Sequence, residues 1–422
     1  MNSPKKIKFG IIGCSRVALK GMFPALFDSN LAELSMVGSR SLDKAREIAT
    51  QFNCEKFGSY EDVLRNKDID AVYVSLPNAM HEEWAIKAAN AGKHVLCEKP
   101  AAISYDAAKR MVAAAKKNNV RMLEGFMFRY HPQHSKVREF IKNGDLGELL
   151  KVEGCFGYAM PDKKSNAMNK KLGGGSFNDQ VPYPVYSSRM LFGEEPESVR
   201  CTIYYDPQYE VSIKTDIMLS YSGSKTAFAT SIFGSYFQSM YSVLGTKANI
   251  RTARAYAVPR DMSTKIFLEV DDKVQEIIIE PADHFRLMVE EFCEEISKGN
   301  ASAKNYENDL LAQAKVLEAA RISSDQKRVV KLSELDNDFM SKKIHPVSKD
   351  SFKKILLTGG SGNLGKAITR SGMFSSILAP SHTELDVTNK DAIANYFKKN
   401  NPDAVIHSAA IVRMSESENE IW

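Results

Sequence analysis

Cysteine chemistry is nearly absent from this chain. Six cysteines (Cys14, Cys54, Cys97, Cys155, Cys201 and Cys293) are scattered over 422 residues. There is no Cys-x-x-Cys pair and no Cys/His cluster, so no structural zinc site and no other metal site is assigned. Several of the six sit in apolar runs, where a thiol acts as a small buried hydrophobe. Reduced thiols suit the cytoplasm, the expected location. Long apolar runs are also missing: nothing approaches the roughly 18 consecutive apolar residues of a membrane span. The N-terminal Met1–Lys6 passes directly into Ile7–Ile12, without the length of a signal-peptide core or a small-residue cleavage site after it. Charge of one sign is short as well. The formal net charge is +5 with 26% charged residues, and no Lys/Arg block makes a phosphate-binding stripe, so nucleic acid is disfavoured as a partner. What remains is a soluble globular chain long enough for two or three domains.

What is present first is alternation. Strand-like apolar runs at 7–12, 33–38, 71–76, 94–97 and 121–124 alternate with helical patterns near 16–28, 42–52, 60–66, 80–91 and 104–118. This predicts an α/β domain over residues 1–127, a Rossmann-type doubly wound parallel sheet with right-handed crossovers. Its first turn, Gly10-Ile-Ile-Gly13-Cys-Ser15-Arg16-Val-Ala18, has the layout of a dinucleotide fingerprint. Gly13 makes the tight turn, Ala18 sits where helix meets strand, and Ser15 replaces the glycine that lets the pyrophosphate approach. Free N–H groups of the following helix favour phosphate charge.

The second strand ends at Gly38-Ser39-Arg40-Ser41. An acidic residue there would bind the ribose hydroxyls of NAD, whereas Ser39 and Arg40, with Lys44, suit the 2′-phosphate of NADP. An arginine stacked on the adenine of either cofactor is the competing reading, so NAD stays open. Pro77 and Asn78 follow the run 71–76 at the carboxyl edge, where a turn can face the nicotinamide, and His81 reads as a helix-start residue. The strand His94–Cys97 stops in Glu98-Lys99-Pro100, because proline cannot continue a central ladder. A charged pair there lies where open α/β sheets bind ligands. On position alone, a solvated strand-end lysine is an equally good reading.

Residues 128–333 change character. One helix at 133–142 is followed by β-rich runs at 149–158, 198–205, 211–220, 226–233, 239–245, 264–270 and 273–279, then by helices at 283–298 and 307–323. This predicts an α+β substrate domain with a large, mostly antiparallel open sheet covered on one face. Within it, Gly173-Gly-Gly175-Ser-Phe-Asn-Asp179-Gln-Val-Pro-Tyr183 reads as a glycine turn leading into a helix from Tyr183 to Phe192. Asp179 and Tyr183 are four residues apart, and on one helix they would share a face. Converging on Lys99, they would form a proton-transfer group for a carbinol oxygen. Spacing alone favours a capping aspartate and a core tyrosine.

The sequences GIIGCSRVA, VYVSLPNAMHEEWAIKAANAGKHVLCEKP and EGFMFRYHPQ resemble the glucose–fructose oxidoreductase, inositol dehydrogenase and rhizopine-catabolism (Gfo/Idh/MocA) family, over about residues 5–335. The resemblance implies that Lys99 is the catalytic or proton-relaying lysine, that Asn78 contacts the cofactor, and that Asp179 and Tyr183 are substrate-site residues. The expected cofactor set is Gly13, Ser15, Arg16, Ser39, Arg40, Pro77, Asn78, Glu98 and Lys99, with NADP as cofactor. The sequence departs from the family in having Ser15 for a glycine and Gln180-Val-Pro182 before the tyrosine.

A polar linker is expected at 334–352. Then Lys354-Ile-Leu-Leu-Thr-Gly359-Gly-Ser-Gly362-Asn-Leu-Gly365 presents a second glycine fingerprint, which continues to the strand-like Asp403–Ala410. Residues 353–422 resemble the start of an extended short-chain dehydrogenase, especially dTDP-4-dehydrorhamnose reductases and sugar-nucleotide epimerases. Gly359, Gly362 and Gly365 are its expected nucleotide loop. The Tyr-x-x-x-Lys pair of that family is missing, since Tyr396 has Asn400 four places on, so a partial Rossmann unit is expected, either from a truncated bifunctional protein or as a docking element. Together these readings imply an NAD(P)-dependent oxidoreductase moving a hydride to or from a sugar alcohol or ketone, a nucleotide sugar in surface-polysaccharide biosynthesis being the first expectation. A dehydrogenase of a free sugar, inositol or dihydrodiol is the second, and a non-catalytic NADP-binding regulator the third. A homo-oligomer through the open sheet is expected.

Overall fold

In the computed structural model, residues 5–299, 304–336, 354–370 and 376–407 are described. Two compact units divide the chain, Met1–Asp336 and Asn337–Trp422. The first begins with six parallel strands: β1 (Ile7–Ile12), β2 (Ala32–Gly38), β3 (Phe57–Gly58), β4 (Ala71–Val74), β5 (His94–Glu98) and β6 (Met122–Gly125). They lie in the order β3-β2-β1-β4-β5-β6, which reverses direction between β1 and β4. Ligands bind at such a switch point, beyond the carboxyl ends of the strands. The strands read as unbroken apolar runs because helices cover both faces, and all of β4 is buried.

Local chemistry sets the helix starts. Ser41 caps α2 (Leu42–Gln51), Ser59 and Asp62 form a capping box on α3 (Tyr60–Arg65), and Ser104 caps α5 (Tyr105–Lys117). The helix expected over 16–28 is present across that range, with a π turn at Ala18–Met22 before α1 (Phe23–Asp28). Pro24 has no N–H to donate to the preceding turn. Gly21 admits the Phe285 ring, which a Cβ would meet at 2.6 Å. The edge strand β3 has only two residues, too few to show as an apolar run.

After α4 (His81–Asn90) and α6 (Pro132–Asn143) comes a nine-stranded sheet, ordered β14-β13-β12-β11-β7-β10-β9-β8-β15. Its strands are β7 (Leu149–Tyr158), β8 (Ser198–Tyr205), β9 (Ser212–Ser220), β10 (Thr226–Phe233), β11 (Gln238–Gly245), β12 (Asn249–Thr252), β13 (Thr264–Val270), β14 (Lys273–Ile279) and β15 (Val330–Lys331). All neighbours are antiparallel except β7 and β10. Two short helices, α7 (Ser176–Asp179) and α8 (Pro182–Phe192), and the longer α10 (Tyr306–Gln326) lie against the sheet, while α9 (His284–Lys298) packs on α1. The unit closes with Leu332 and Leu335 buried in its core. The linker expected at 334–352 lies, beyond Asp336, outside the described residues.

The second unit has a three-stranded parallel sheet, ordered β17-β16-β18, from β16 (Ile355–Thr358), β17 (Ile377–Leu378) and β18 (Ala404–His407), with helices α11 (Asn363–Arg370) and α12 (Lys390–Asn400). Gly359 takes φ +75° at the turn after β16. A Cβ on Gly365 would lie 2.4 Å from the Gly359 oxygen, so the first turn of α11 packs directly on the loop. The expected strand at 403–410 is seen as Ala404–His407, and its last three positions lie outside the described residues. The six cysteines are free. Among the described residues no helix is long and apolar enough to cross a membrane, and no cluster of metal-ligating side chains is found.

Candidate active site

A cleft of about 560 Å³ lies beyond the carboxyl ends of β1, β4 and β5, lined by Ser15, Pro77, Asn78, Glu98, Lys99 and Asp179 among others. Gly13 makes the first turn at φ +101°, where a Cβ would come within 2.5 Å of the Ser75 oxygen. Only glycine fits there. Ser15 turns its hydroxyl inward, to hydrogen-bond the Ser75 hydroxyl and to accept the Ala18 amide at 3.0 Å. Arg16 is exposed on the cleft wall. At the end of β2, Ser39 is buried and its hydroxyl accepts the Ser41 amide. Arg40 is exposed; burial raises the Tyr60 phenol and the Arg40 charge pulls it back, so the guanidinium lies close to that ring. Burial raises the Cys14 thiol while Lys44 lowers it, which puts Lys44 beside the fingerprint turn. The residues expected to hold a dinucleotide therefore line one edge, and the loop fits the group.

Lys99 directly follows β5, its side chain 11% exposed. Its ammonium donates to the Asp179 backbone oxygen at 2.8 Å and to Asp179 Oδ1 at 3.2 Å. It also lies 4.9 Å from the centre of the Tyr183 ring. Burial opposes that ammonium, yet the acidic groups around it, Tyr183, Asp179 and Glu98, outweigh burial and hold the pKa above the ordinary lysine value. The Asp179 carboxyl shows the reverse balance. Burial pushes it up, but Lys99 and a hydrogen bond from Tyr158 bring it below the usual carboxylate range. Tyr183 is 5% exposed, and burial pushes its phenol up to about 12 against the pull of Lys99. Its hydroxyl meets the Met127 sulfur at 3.8 Å and lies within reach of the Lys99 ammonium. A weakly engaged phenol beside a fixed ammonium can pass a proton to an incoming oxygen.

The three expected catalytic residues thus meet, though by a different route. Asp179 and Tyr183 do not share a helix face: α7 ends at Asp179 and α8 begins at Pro182. Pro182 lacks the N–H a continuous helix needs and strains the preceding turn. His81 starts α4, fully buried, with its ring nitrogens 2.8 Å from the oxygens of Pro100 and Leu76. It ties two cleft turns together and has no nitrogen left for a substrate.

Tyr158 was not visible as a site residue in the sequence. It donates to Asp179 Oδ2, so each carboxylate oxygen has its own donor. As the last residue of the alternating run 149–158, it carried no signal beyond that of a sheet tyrosine. Two buried carboxyls support the same turn. Glu98 accepts the Tyr73 hydroxyl at 2.5 Å, and Glu124, raised by burial to about 8, accepts the Ala101 amide at 2.9 Å.

Comparison with known proteins adds the following. The Gfo/Idh/MocA model described as an oxidoreductase family with an NAD-binding Rossmann fold matches residues 7–126, and the model of the C-terminal domain of that family matches 134–251. An RmlD substrate-binding domain model matches 353–421. An uncharacterised oxidoreductase of Rhizobium meliloti is 32% identical over 326 residues, 76% of this chain and 97% of that protein. The dTDP-3,4-didehydro-2,6-dideoxy-alpha-D-glucose 3-reductase of Saccharopolyspora spinosa is 31% identical over 322 residues, 75% of this chain and 96% of the reductase. Among solved structures, a 3-ketoreductase from Actinomadura kijaniata in complex with NADP and TDP-benzene superposes with a TM-score of 0.73 at 27% identity, covering 76% of this chain and 98% of that one.

Proposed function

The chain belongs to the Gfo/Idh/MocA oxidoreductase family, and from that premise we propose that it uses NADPH to reduce the keto group of a nucleotide-linked deoxysugar. At the coarser level it is an NAD(P)-dependent oxidoreductase acting on CH–OH or keto groups. The finer reading is supported by relatives that reduce dTDP-linked ketosugars and by a neighbour solved with a TDP ligand. The observation that carries it is the convergence of Lys99, Asp179 and Tyr183 at the end of β5.

Gly13, Ser15 and Arg16 would hold the cofactor's phosphates, Ser39 and Arg40 its 2′-phosphate, and Pro77, Asn78, Glu98 and Lys99 its nicotinamide end. Bound there, the nicotinamide supplies the hydride. Lys99 donates a hydrogen bond to the carbonyl oxygen of the substrate and stabilises the negative charge that grows on it. Tyr183 delivers the proton, and the neighbouring ammonium favours the phenolate left behind. Asp179 keeps Lys99 charged and aimed. The packed rings of Phe126, Phe128, Phe156 and Tyr256 around Tyr183 keep water from its far side.

The test follows NADPH oxidation with nucleotide-linked ketosugars, free aldoses, inositol and dihydrodiols. A kcat/KM at least a hundredfold higher on the nucleotide-linked substrates is expected; equal turnover of a free sugar defeats the reading. Lys99→Ala should lower kcat by about 10²–10⁴-fold, the range of general acid–base catalysis, with the Kd for NADPH within about threefold of wild type. An unchanged kcat removes Lys99 from the mechanism.

Gly359, Gly362 and Gly365 are proposed as a second nucleotide loop, resting on the strand–turn–helix of the second unit. A homo-oligomer through the bare face of the nine-stranded sheet is the proposed assembly, since Met218, Phe228 and Leu244 lie exposed on it.

A further inference from the structure

A second cavity, of about 290 Å³, opens beside the reaction centre. It adjoins that centre through Met127 and through Arg16 and Val17, which line both spaces. Met127 lines the cavity and holds its sulfur 3.8 Å from the Tyr183 hydroxyl. Arg16 lines both this cavity and the cleft around Lys99, and its charge reaches Asp179 and Tyr158.

The cavity lining combines apolar and cationic groups. Val258, 5% exposed, and Phe285, seated over Gly21, give it an apolar wall. His284, 4% exposed, also lines it, and its Nδ1 has no hydrogen-bond partner. Arg16 and Lys20, both exposed, line it as well. Neither makes a hydrogen bond or ion pair with any described residue. Arg260 at the same rim is already committed, to Asp28 at 2.7 Å and Asp283 at 3.6 Å. Two uncommitted cations beside an apolar wall, in a cavity that adjoins the proton-transfer group, suit the diphosphate and the base of a nucleotide-linked sugar. A guanidinium binds phosphate oxygens through two parallel N–H bonds and has donors to spare for the cofactor's own phosphates.

We propose that this cavity is the nucleoside diphosphate subsite of the substrate, with Arg16 and Lys20 on the phosphates and the base against Val258 and Phe285. The placement rests on the nucleotide-linked reading of the substrate, and the experiment separates the two. Titration of dTDP into the NADPH-saturated full-length protein is followed by calorimetry for wild type, Lys20→Glu and Ala257→Phe, which narrows the cavity. Expected is a Kd for dTDP at least tenfold weaker in both variants, with the Kd for NADPH within twofold of wild type as the check that each is folded. If wild type binds dTDP and both variants bind it within twofold, the subsite lies elsewhere and the placement falls while the substrate reading stands. If wild type binds no dTDP, the nucleotide-linked substrate itself is lost, and the placement with it.

Discussion

Ser15 stands where a dinucleotide loop has a glycine, and the direction of its hydroxyl explains how the loop keeps its use. The side chain is spent on Ser75 and the Ala18 amide, inside the turn rather than on the face a pyrophosphate approaches. A small side chain with an internal partner is tolerated there; an aliphatic one has no hydroxyl for that partner. Tyr158 carries the sharper prediction. Its bond to Asp179 Oδ2 is one of the interactions keeping that carboxyl ionised against burial. Tyr158→Phe removes it, the pKa of Asp179 rises, and the acid limb of the kcat/KM profile should move to higher pH while the Kd for NADPH stays put. A profile that keeps its acid limb removes Tyr158 from the positioning of Asp179. Lys99, Asp179 and Tyr183 could be singled out in the sequence as candidates because the order of the family-like motifs marks them. Tyr158 was not, since its partner lies 21 residues away and nothing in a strand's alternation distinguishes a site tyrosine from a core one.

At the scale of elements, the glycine run after residue 172 is a joint between the two sheets. Gly173 has φ +76°, and its oxygen receives Asn78 Nδ2 at 2.9 Å and Asn178 Nδ2 at 3.1 Å. Asn178 Oδ1 in turn accepts Arg321 of α10 at 3.2 Å. Arginine only donates, so it fixes which end of the Asn178 amide faces Gly173. The chain from α10 to the cofactor-side turn at Asn78 is thus set in orientation as well as in place. Asn178→Asp keeps the Arg321 contact but turns a second acceptor on the Gly173 oxygen. A lost bond replaced by repulsion costs about 1–3 kcal/mol, so the KM for NADPH should rise about tenfold with a smaller change in kcat. An unchanged KM uncouples this joint from the cofactor edge. The elements themselves were mostly legible: the long strands appear where apolar alternation put them. The short β3, β12 and β15 escaped because two to four residues carry no period. The break between α7 and α8 was written in Pro182, yet the four-residue spacing of Asp179 and Tyr183 suggested one helix instead.

Across the whole first unit, burial sets two groups of titratable side chains against each other. His131, His134 and His284 are buried and their pKa values lowered by that burial, to about 4 for His131 and about 3 for His284. The unfolded chain binds protons at these rings near pH 6.5 and the folded one does not. The stability they contribute is therefore full above that pH and is lost as pH falls below it, by about 1.4 kcal/mol per unit per group until the folded pKa is reached. Glu98 and Glu124 act the other way. Burial raises both, Glu124 to about 8, so their neutral forms favour the fold at low pH and that contribution is lost as pH rises above the unfolded carboxyl value, near 4.5, for Glu124 until pH passes about 8. Between pH 5 and 7 the two groups oppose, and single variants separate them. His284→Phe removes one acid-sensitive ring, so the fall in denaturation midpoint from pH 7 to pH 5 should be smaller than in wild type. Glu124→Gln removes one carboxyl that acid relieves and keeps an acceptor for the Ala101 amide, so the same fall should be larger. Urea unfolding of both variants at the two pH values reads the difference directly. Parallel shifts of equal size in both would mean that these buried groups do not set the pH dependence of the fold.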